Sequence, residues 1–425
     1  MRRGNEAMAL VNMRKIWKLA AAAAAGALVL SMSACGTADD KTLHFWNSMT
    51  GNDGVAMQQI VKDYNATNPE YKVVFQPMQG GDVTTKLYSV EQTGKNIPDL
   101  VIQDNFQTGV LQDQGLLSPI KDLQKYQPSL SKDNYLPTSW DAVEFGGEAY
   151  GIPLYLYQMV LYYNKDLVKK YNLDYILDDD VVTIDEINGL KGKLPKDVYA
   201  LSLGNLPWVA MSLVYNQGGT LDKAVHDMKG DVWRKPLEQL VEANKNGLLN
   251  PIDMDVLQTF ASGKAVFGLL GTFDVGTLEE AMDKDKIGVT NTLQYSADNP
   301  TNFFWQANWI QLKDPSRSEA REKASADFIE YVRTHFMTMA KIGQVSASNV
   351  DLDSPEYQKL PQSYFTTGDK ERAMLRSSNY MYGGYATSAW GTFNDIVYGN
   401  VTVDDGLQLL QDQTQGQIQI QEQSE

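Results

Sequence analysis

Cysteine, histidine and surplus positive charge are what this sequence has least of. With one cysteine, Cys35, no internal disulfide can form, so burial and hydrogen bonding must hold the fold together. The three histidines, His44, His226 and His335, are far apart and none forms a paired helical spacing with another, which argues against a zinc site. Lysine and arginine number 37 against 53 aspartates and glutamates, a formal net charge of −16. Sequence-independent phosphate binding needs the opposite balance, which argues against a nucleic-acid partner. Gly263-Lys264 is followed by Ala265 rather than Ser or Thr and lacks the upstream glycine of a nucleotide-binding loop, and no Gly-x-Ser-x-Gly elbow occurs. No catalytic residue, metal or cofactor is therefore assigned.

Core material, by contrast, is plentiful. The chain has 425 residues, of which 43% are hydrophobic and 10% aromatic. A single core stops growing at roughly 250–300 residues, so two or three domain-sized units are expected. At the N-terminus, Arg14, Lys15 and Lys18 precede an Ala-rich apolar run, Leu19 to Leu30, that is too short to span a bilayer. With the small residues Ser33 and Ala34 after it, residues 1–34 read as an export signal, and Met13 is a plausible start. Met32-Ser33-Ala34-Cys35-Gly36 resembles the bacterial lipobox, with Met32 in place of the usual Leu. The resemblance implies that Cys35 becomes the lipidated first residue, anchored to the outer face of the cell membrane, since two or more acyl chains give stable attachment. An ordinary secretory signal cleaved nearby, with Cys35 incidental, is the alternative.

Residues 35–41 form a polar linker, after which strand and helix patterns alternate. Leu43 to Trp46, Tyr71 to Phe75 and Asp99 to Gln103 read as strands. Between them, Met57, Ile60, Val61 and Tyr64 fall on one helical face, and Thr84 to Gln92 reads as a second helix. This order implies a parallel α/β sheet, whose ligands bind beyond the carboxyl ends of the strands. An apolar, tyrosine-rich strand from Tyr155 to Tyr163 follows Pro153, and helices are expected around Lys165–Tyr171, Leu206–Asn216, Val232–Asn246, Met254–Ser262 and Arg317–Thr334. The acidic run Asp178 to Asp180 reads as a solvated loop. The Gln-rich stretch from Gln408 to Glu425 shows no apolar period after Leu410 and reads as a frayed helix or tail.

Several segments in joint order carry a resemblance. They are Thr42-Leu43-His44-Phe45-Trp46, Ile97-Pro98-Asp99-Leu100-Val101, Gly115-Leu116-Leu117 with Pro119, Tyr150-Gly151-Ile152-Pro153, and Leu161-Tyr162-Tyr163-Asn164-Lys165-Asp166-Leu167. Gln217-Gly218-Gly219 and Phe260 with Gly263-Lys264-Ala265, leading to Gly271, complete the set. Together they resemble the bacterial extracellular solute-binding proteins (family 1) that serve sugar-importing ABC transporters. The resemblance implies a periplasmic-binding-protein-like α/β fold of two lobes, each a mainly parallel sheet flanked by helices, with a ligand cleft between them. It further implies lobe 1 from residues 42–153 and 306–346, and lobe 2 from 154–305 and 347–425. The hinge crossings then fall near Ile152–Leu154, Gln306–Ile310 and Val345–Ala347.

A sugar offers hydroxyls that both donate and accept, and C–H faces that lie on aromatic rings, so its cleft needs aromatic platforms beside carboxylates and amides. Candidates at strand ends are Trp46, Asn47 and Asp104; Tyr155 and Tyr157 begin the crossing strand; Trp208 opens a helix; Trp305 and Tyr382 lie farther on. Phe273 stands where many family members have Trp, followed by Asp274. Each has a plainer role: core for the aromatics, a helix cap for Asp104 and Asp274, a staple at the helix start for Trp208. Trp309 and Trp390 are assigned to the core. The expected activity is capture of a mono- or oligosaccharide by a monomer that closes on it and delivers it to membrane permease subunits. A polyol or phosphorylated glycerol is left open as ligand, and a secreted glycoside hydrolase or a protein-binding surface lipoprotein are the rival readings.

Overall fold

The computed structural model describes residues 41–352, 354–366, 374–375 and 391–424. Cys35 with its leader, Tyr382 with its neighbours Tyr380 and Tyr385, and Trp390 lie outside the described residues. Contacts divide the chain into Met1–Thr42 and Leu43–Glu425, and the folded body is the second of these units.

The first three strands are β1 (Thr42–Asn47), β2 (Lys72–Pro77) and β3 (Leu100–Asp104), with helices Asn52–Ala66 and Gly80–Thr93 between them. The face of helix Asn52–Ala66 that carries Met57, Ile60, Val61 and Tyr64 is buried, as its spacing predicts. Helix Gly80–Thr93 ends at Gly94, whose φ of 60° suits a residue without Cβ, and the Gly94 N–H is shared between the Val90 and Glu91 carbonyls. Then come the hairpin β4 (Glu144–Phe145) and β5 (Glu148–Ala149), the 13-residue β6 (Ile152–Asn164), β7 (Val182–Thr183), β8 (Tyr199–Ser202) and β9 (Ala265–Gly271). The chain continues through β10 (Ile287–Thr290), β11 (Leu293–Gln294), β12 (Asn302–Ile310), β13 (Val345–Ser346) and β14 (Met374–Leu375).

The main sheet runs β2-β1-β3-β12-β6-β9-β8, with β10 and β13 also paired to β6. Parallel pairing holds for β1 with β3 and for β8 with β9, the strands joined by helical crossovers. The long strands depart from the mainly parallel expectation: β12 is antiparallel to β3 and β6, and β6 is antiparallel to β9. The reason is directional, because the chain leaves along β6 and returns along β12. β6 also changes partners midway, with Gln158 opposite Phe304 of β12 and Met159 opposite Gly271 of β9. The exchange falls several residues beyond Pro153, where sequence placed the first crossing.

Two large apolar clusters share the strands of the sheet, Val160 and Tyr162 of β6 going to one and Met159 and Leu161 to the other. Phe45, Met57, Trp309 and Phe328 belong to one, and Leu201, Met211, Trp233, Phe267 and Leu407 to the other. Strand alternation sends Phe304 of β12 into the first cluster and Phe303 and Trp305 into the second. Helices Lys165–Lys170, Leu206–Asn216, Asp231–Lys245, Val256–Ala261 and Glu319–Thr334 lie close to their expected places. Of the two forms expected at the C-terminal stretch, helix or tail, the structure has the helix, Val403–Ser424. Its buried face joins Leu407, Leu410 and Ile418 to Gln411 and Thr414, so polar residues interrupt the apolar period without ending the helix. Gln411 is held on both sides, its Oε1 accepting the Met228 N–H and its Nε2 donating to the His226 carbonyl. Among the described residues no helix is long and apolar enough to cross a membrane.

Candidate functional site

Beyond the carboxyl ends of β1 and β3 lies a cavity of about 600 Å³. One wall comes from the β1-to-helix turn (Ser48, Met49, Gly51, Asn52, Asp53), from Thr84, and from the end of β3 and the helix after it (Gln103, Asp104, Gln107). The floor is Tyr155 and Tyr157 of β6 with Ala307 of β12. Phe273, Asp274 and Thr277, from the turn after β9 and helix Val275–Ala281, form the opposite wall, and Gln344 closes one side.

Each carboxylate here is fixed by the backbone. Asp104 caps helix Asn105–Asp113, accepting the Gln107 N–H at 2.8 Å. Asp274 accepts the Gly271 N–H at 2.8 Å. Asp53 accepts from Gly54 N–H at 2.8 Å and Gly51 N–H at 3.2 Å. Burial pushes the Asp104 and Asp274 carboxyls above the usual range, while the N–H groups of Gln107 and Gly271 pull them back toward the ionised form. The cap role foreseen for Asp104 is thus real, and it coexists with a place on the cavity wall. Burial also raises the Tyr155 and Tyr157 hydroxyls, which stay neutral and can both donate and accept.

Behind this lining stands an aromatic cluster. Tyr157 stacks on Trp305 at 6.3 Å and 18°, and Trp208 lies 4.4 Å from Trp305 at 34°. Phe273 meets Tyr157 and Trp208 edge-on, each at 6.3 Å. Asp104, Tyr155, Tyr157, Phe273 and Asp274 therefore converge on one cavity, and Trp208 and Trp305 brace its rings from behind.

Trp46 and Asn47 are elsewhere. The Trp46 ring packs with Val83, Leu87 and Leu111, its Nε1–H donates to Gln76 Oε1 at 2.8 Å, and Lys86 Nζ lies 4.5 Å above it. Asn47 is fully buried, with Oδ1 accepting the Met49 N–H at 3.0 Å. Neither lines the cavity. Trp309 packs against Phe45 and Phe328 in the core, as assigned. Sequence reasoning missed Asp53, Thr84, Gln107, Thr277 and Gln344. The Gly51-Asn52-Asp53-Gly54 turn, directly after β1, was a signal that the strand-end rule could have used. Among the described residues no group of three or more His, Cys, Asp or Glu is placed to hold a metal ion.

A match to the sn-glycerol-3-phosphate-binding periplasmic protein UgpB of Shigella flexneri is 30% identical over 157 residues, 35% of each chain. The maltotriose-binding protein of Pyrococcus abyssi matches at 27% over 125 residues, 29% of this chain and 26% of that one. These stretches span about a third or less of the relatives' own lengths. Among solved structures, the sugar-binding protein MalE of Xanthomonas citri superposes with a TM-score of 0.72 at 18% identity, covering 90% of this chain and 99% of that one. UgpB of Mycobacterium tuberculosis in complex with glycerophosphocholine superposes at 0.71 and 16% identity, covering 91% and 100%. The fold is therefore the two-lobe α/β fold of periplasmic binding proteins. The profile of the bacterial extracellular solute-binding proteins matches residues 59–366, and the chain belongs to that family.

Proposed function

We propose that this chain captures a carbohydrate, a mono- or oligosaccharide, in the cavity between its lobes and delivers it to the permease subunits of an ABC transporter. The observation that carries the reading is one cavity uniting Asp104 and Asp274 with Tyr155, Tyr157 and Phe273, hydroxyl acceptors beside ring faces. Contacts made only when both walls engage the ligand favour the closed form, because a ligand biases closure by its differential affinity for the two states. Gln158–Met159 in β6, where hydrogen-bond partners change, and the register shift between Ala307 and Asn308 in β12 are the places that would absorb the rotation. Release follows reopening, and no bond is broken.

The protein acts outside the cytoplasm, as its family does. Within the proposal it works as a monomer tethered through lipidated Cys35. The test is a thermal-shift and calorimetric screen against a carbohydrate panel, with the sugars analysed afterwards. A ligand-dependent rise in Tm with sugar recovered intact is the expected result. Shortened sugars would point to a hydrolase, and silence from the whole panel would leave a protein partner. Labelled fatty acid entering the wild-type chain and not Cys35→Ser would establish the anchor.

A further inference from the structure

We infer that the cavity is a charge filter, in which Asp53, Asp104 and Asp274 set specificity by admitting uncharged carbohydrates and refusing phosphorylated ones. The inference rests on the carbohydrate reading above and narrows its ligand class. Its first support is placement. The three carboxylates come from three separate segments, the turn after β1, the end of β3 and the turn after β9, and all face one space of about 600 Å³. No lysine, arginine or histidine is among the described lining residues.

The second support is what these carboxylates lack. Among the described residues none of the three has an ion-pair partner, whereas buried Asp99 is held by Arg321 through two bonds, of 2.9 and 2.7 Å. Among the described residues they do not form part of any group of three or more His, Cys, Asp or Glu placed to hold a metal ion. Each is held instead by backbone N–H groups, which orient the carboxylate and bring no countercharge. Burial of Asp104 and Asp274 pushes their carboxyls toward the neutral form, and the N–H groups of Gln107 and Gly271 pull them back toward the ionised form that the filter needs.

A hydroxyl can donate to such a carboxylate. A phosphate monoester brings acceptors and up to two negative charges, so it can neither donate to the carboxylates when ionised nor avoid their repulsion. Like charges about 6–8 Å apart in a partly desolvated site weaken binding on the order of tenfold or more for each carboxylate.

The experiment titrates glucose 6-phosphate, maltose 1-phosphate and glycerol 3-phosphate into the wild-type protein at low ionic strength, beside the tightest uncharged carbohydrate of the panel. Each phosphate ester is expected to bind at least about a hundredfold more weakly than that carbohydrate. The triple variant D53N/D104N/D274N keeps oxygen acceptors for its backbone donors and should bind the esters at least about tenfold more tightly than wild type does. In wild type, raising salt from about 10 mM to about 300 mM should narrow the gap, a readout that needs no variant to fold. A phosphate ester that binds within a hundredfold of the uncharged carbohydrate overturns the filter and leaves carbohydrate capture standing. A gap that ignores salt, or a folded triple variant that still refuses the esters, overturns the filter in the same way. If the esters bind and no uncharged carbohydrate does, the filter and the reading beneath it both fall.

Discussion

Asp99 and Asp104 bracket one short strand, β3, and live in opposite electrostatic worlds. Asp99, at the amino end, is buried against the Arg321 guanidinium, accepts the His44 N–H at 2.8 Å, and its carbonyl accepts from Gln311 Nε2. Asp104, at the carboxyl end, caps a helix and faces a cavity that has no Lys, Arg or His among its described lining residues. The same residue type serves as a structural tie where its charge is answered and, under the proposed function, as a ligand contact where it is not. The difference follows from strand direction, since parallel strands point their carboxyl ends at the binding crevice.

Arg321→Ala would strain that comparison hardest. It leaves Asp99 buried without its cation and should cost about 3 kcal/mol in urea unfolding, with carbohydrate affinity unchanged. A variant that lost affinity and kept its stability would invert the two roles.

Asp351 supplies an intermediate case. It is buried, 3.4 Å from Ser346 Oγ, and burial lifts its pKa from 3.8 to about 6. The folded chain then holds a proton that the unfolded chain releases between pH 3.8 and about 6. The stability this proton contributes is complete below that window and is lost as pH rises through it, on the order of 2 kcal/mol. Denaturation at pH 4 and pH 6.5 should show the decline, and Asp351→Asn should flatten it.

Asp104→Asn sharpens the other side. Asparagine caps a helix about as well as aspartate, so unfolding should move by no more than about 0.5 kcal/mol. Carbohydrate affinity should fall at least about tenfold by calorimetry. The smallest effect is expected from Lys121→Ala, which removes an exposed pair with Glu148 and should leave both the denaturation midpoint and binding where they were.

The buried strands were easiest to read in the sequence. Apolar runs such as Asp99 to Gln103 and Tyr155 to Tyr163 have no other place to go, and both are strands. Trp46 shows where such reading stops. Phe45 and Trp46 are both large and apolar, and β-alternation puts them on opposite faces without saying which face meets the ligand. The aromatics and carboxylates of the far wall could be named because strand ends and the segment after Gly271 single them out. Asp53, Gln107 and Gln344 could not, because a polar residue in a turn or a first helical turn looks the same whether it faces solvent or a cavity. For the stretch Val403–Ser424 helix and tail stayed open for a related reason: Gln411 and Thr414 occupy buried positions that a hydrophobic period would have filled.

That last helix also bears on the order in which the molecule can assemble. Leu407, Leu410 and Ile418 belong to the same apolar cluster as Leu201, Met211 and Trp233, and Arg234 reaches Asp404 at 2.7 Å. That cluster is thus completed only by residues far along the polypeptide. A chain that folds as it emerges, front end first, would keep that cluster open until residues 403–418 had joined it.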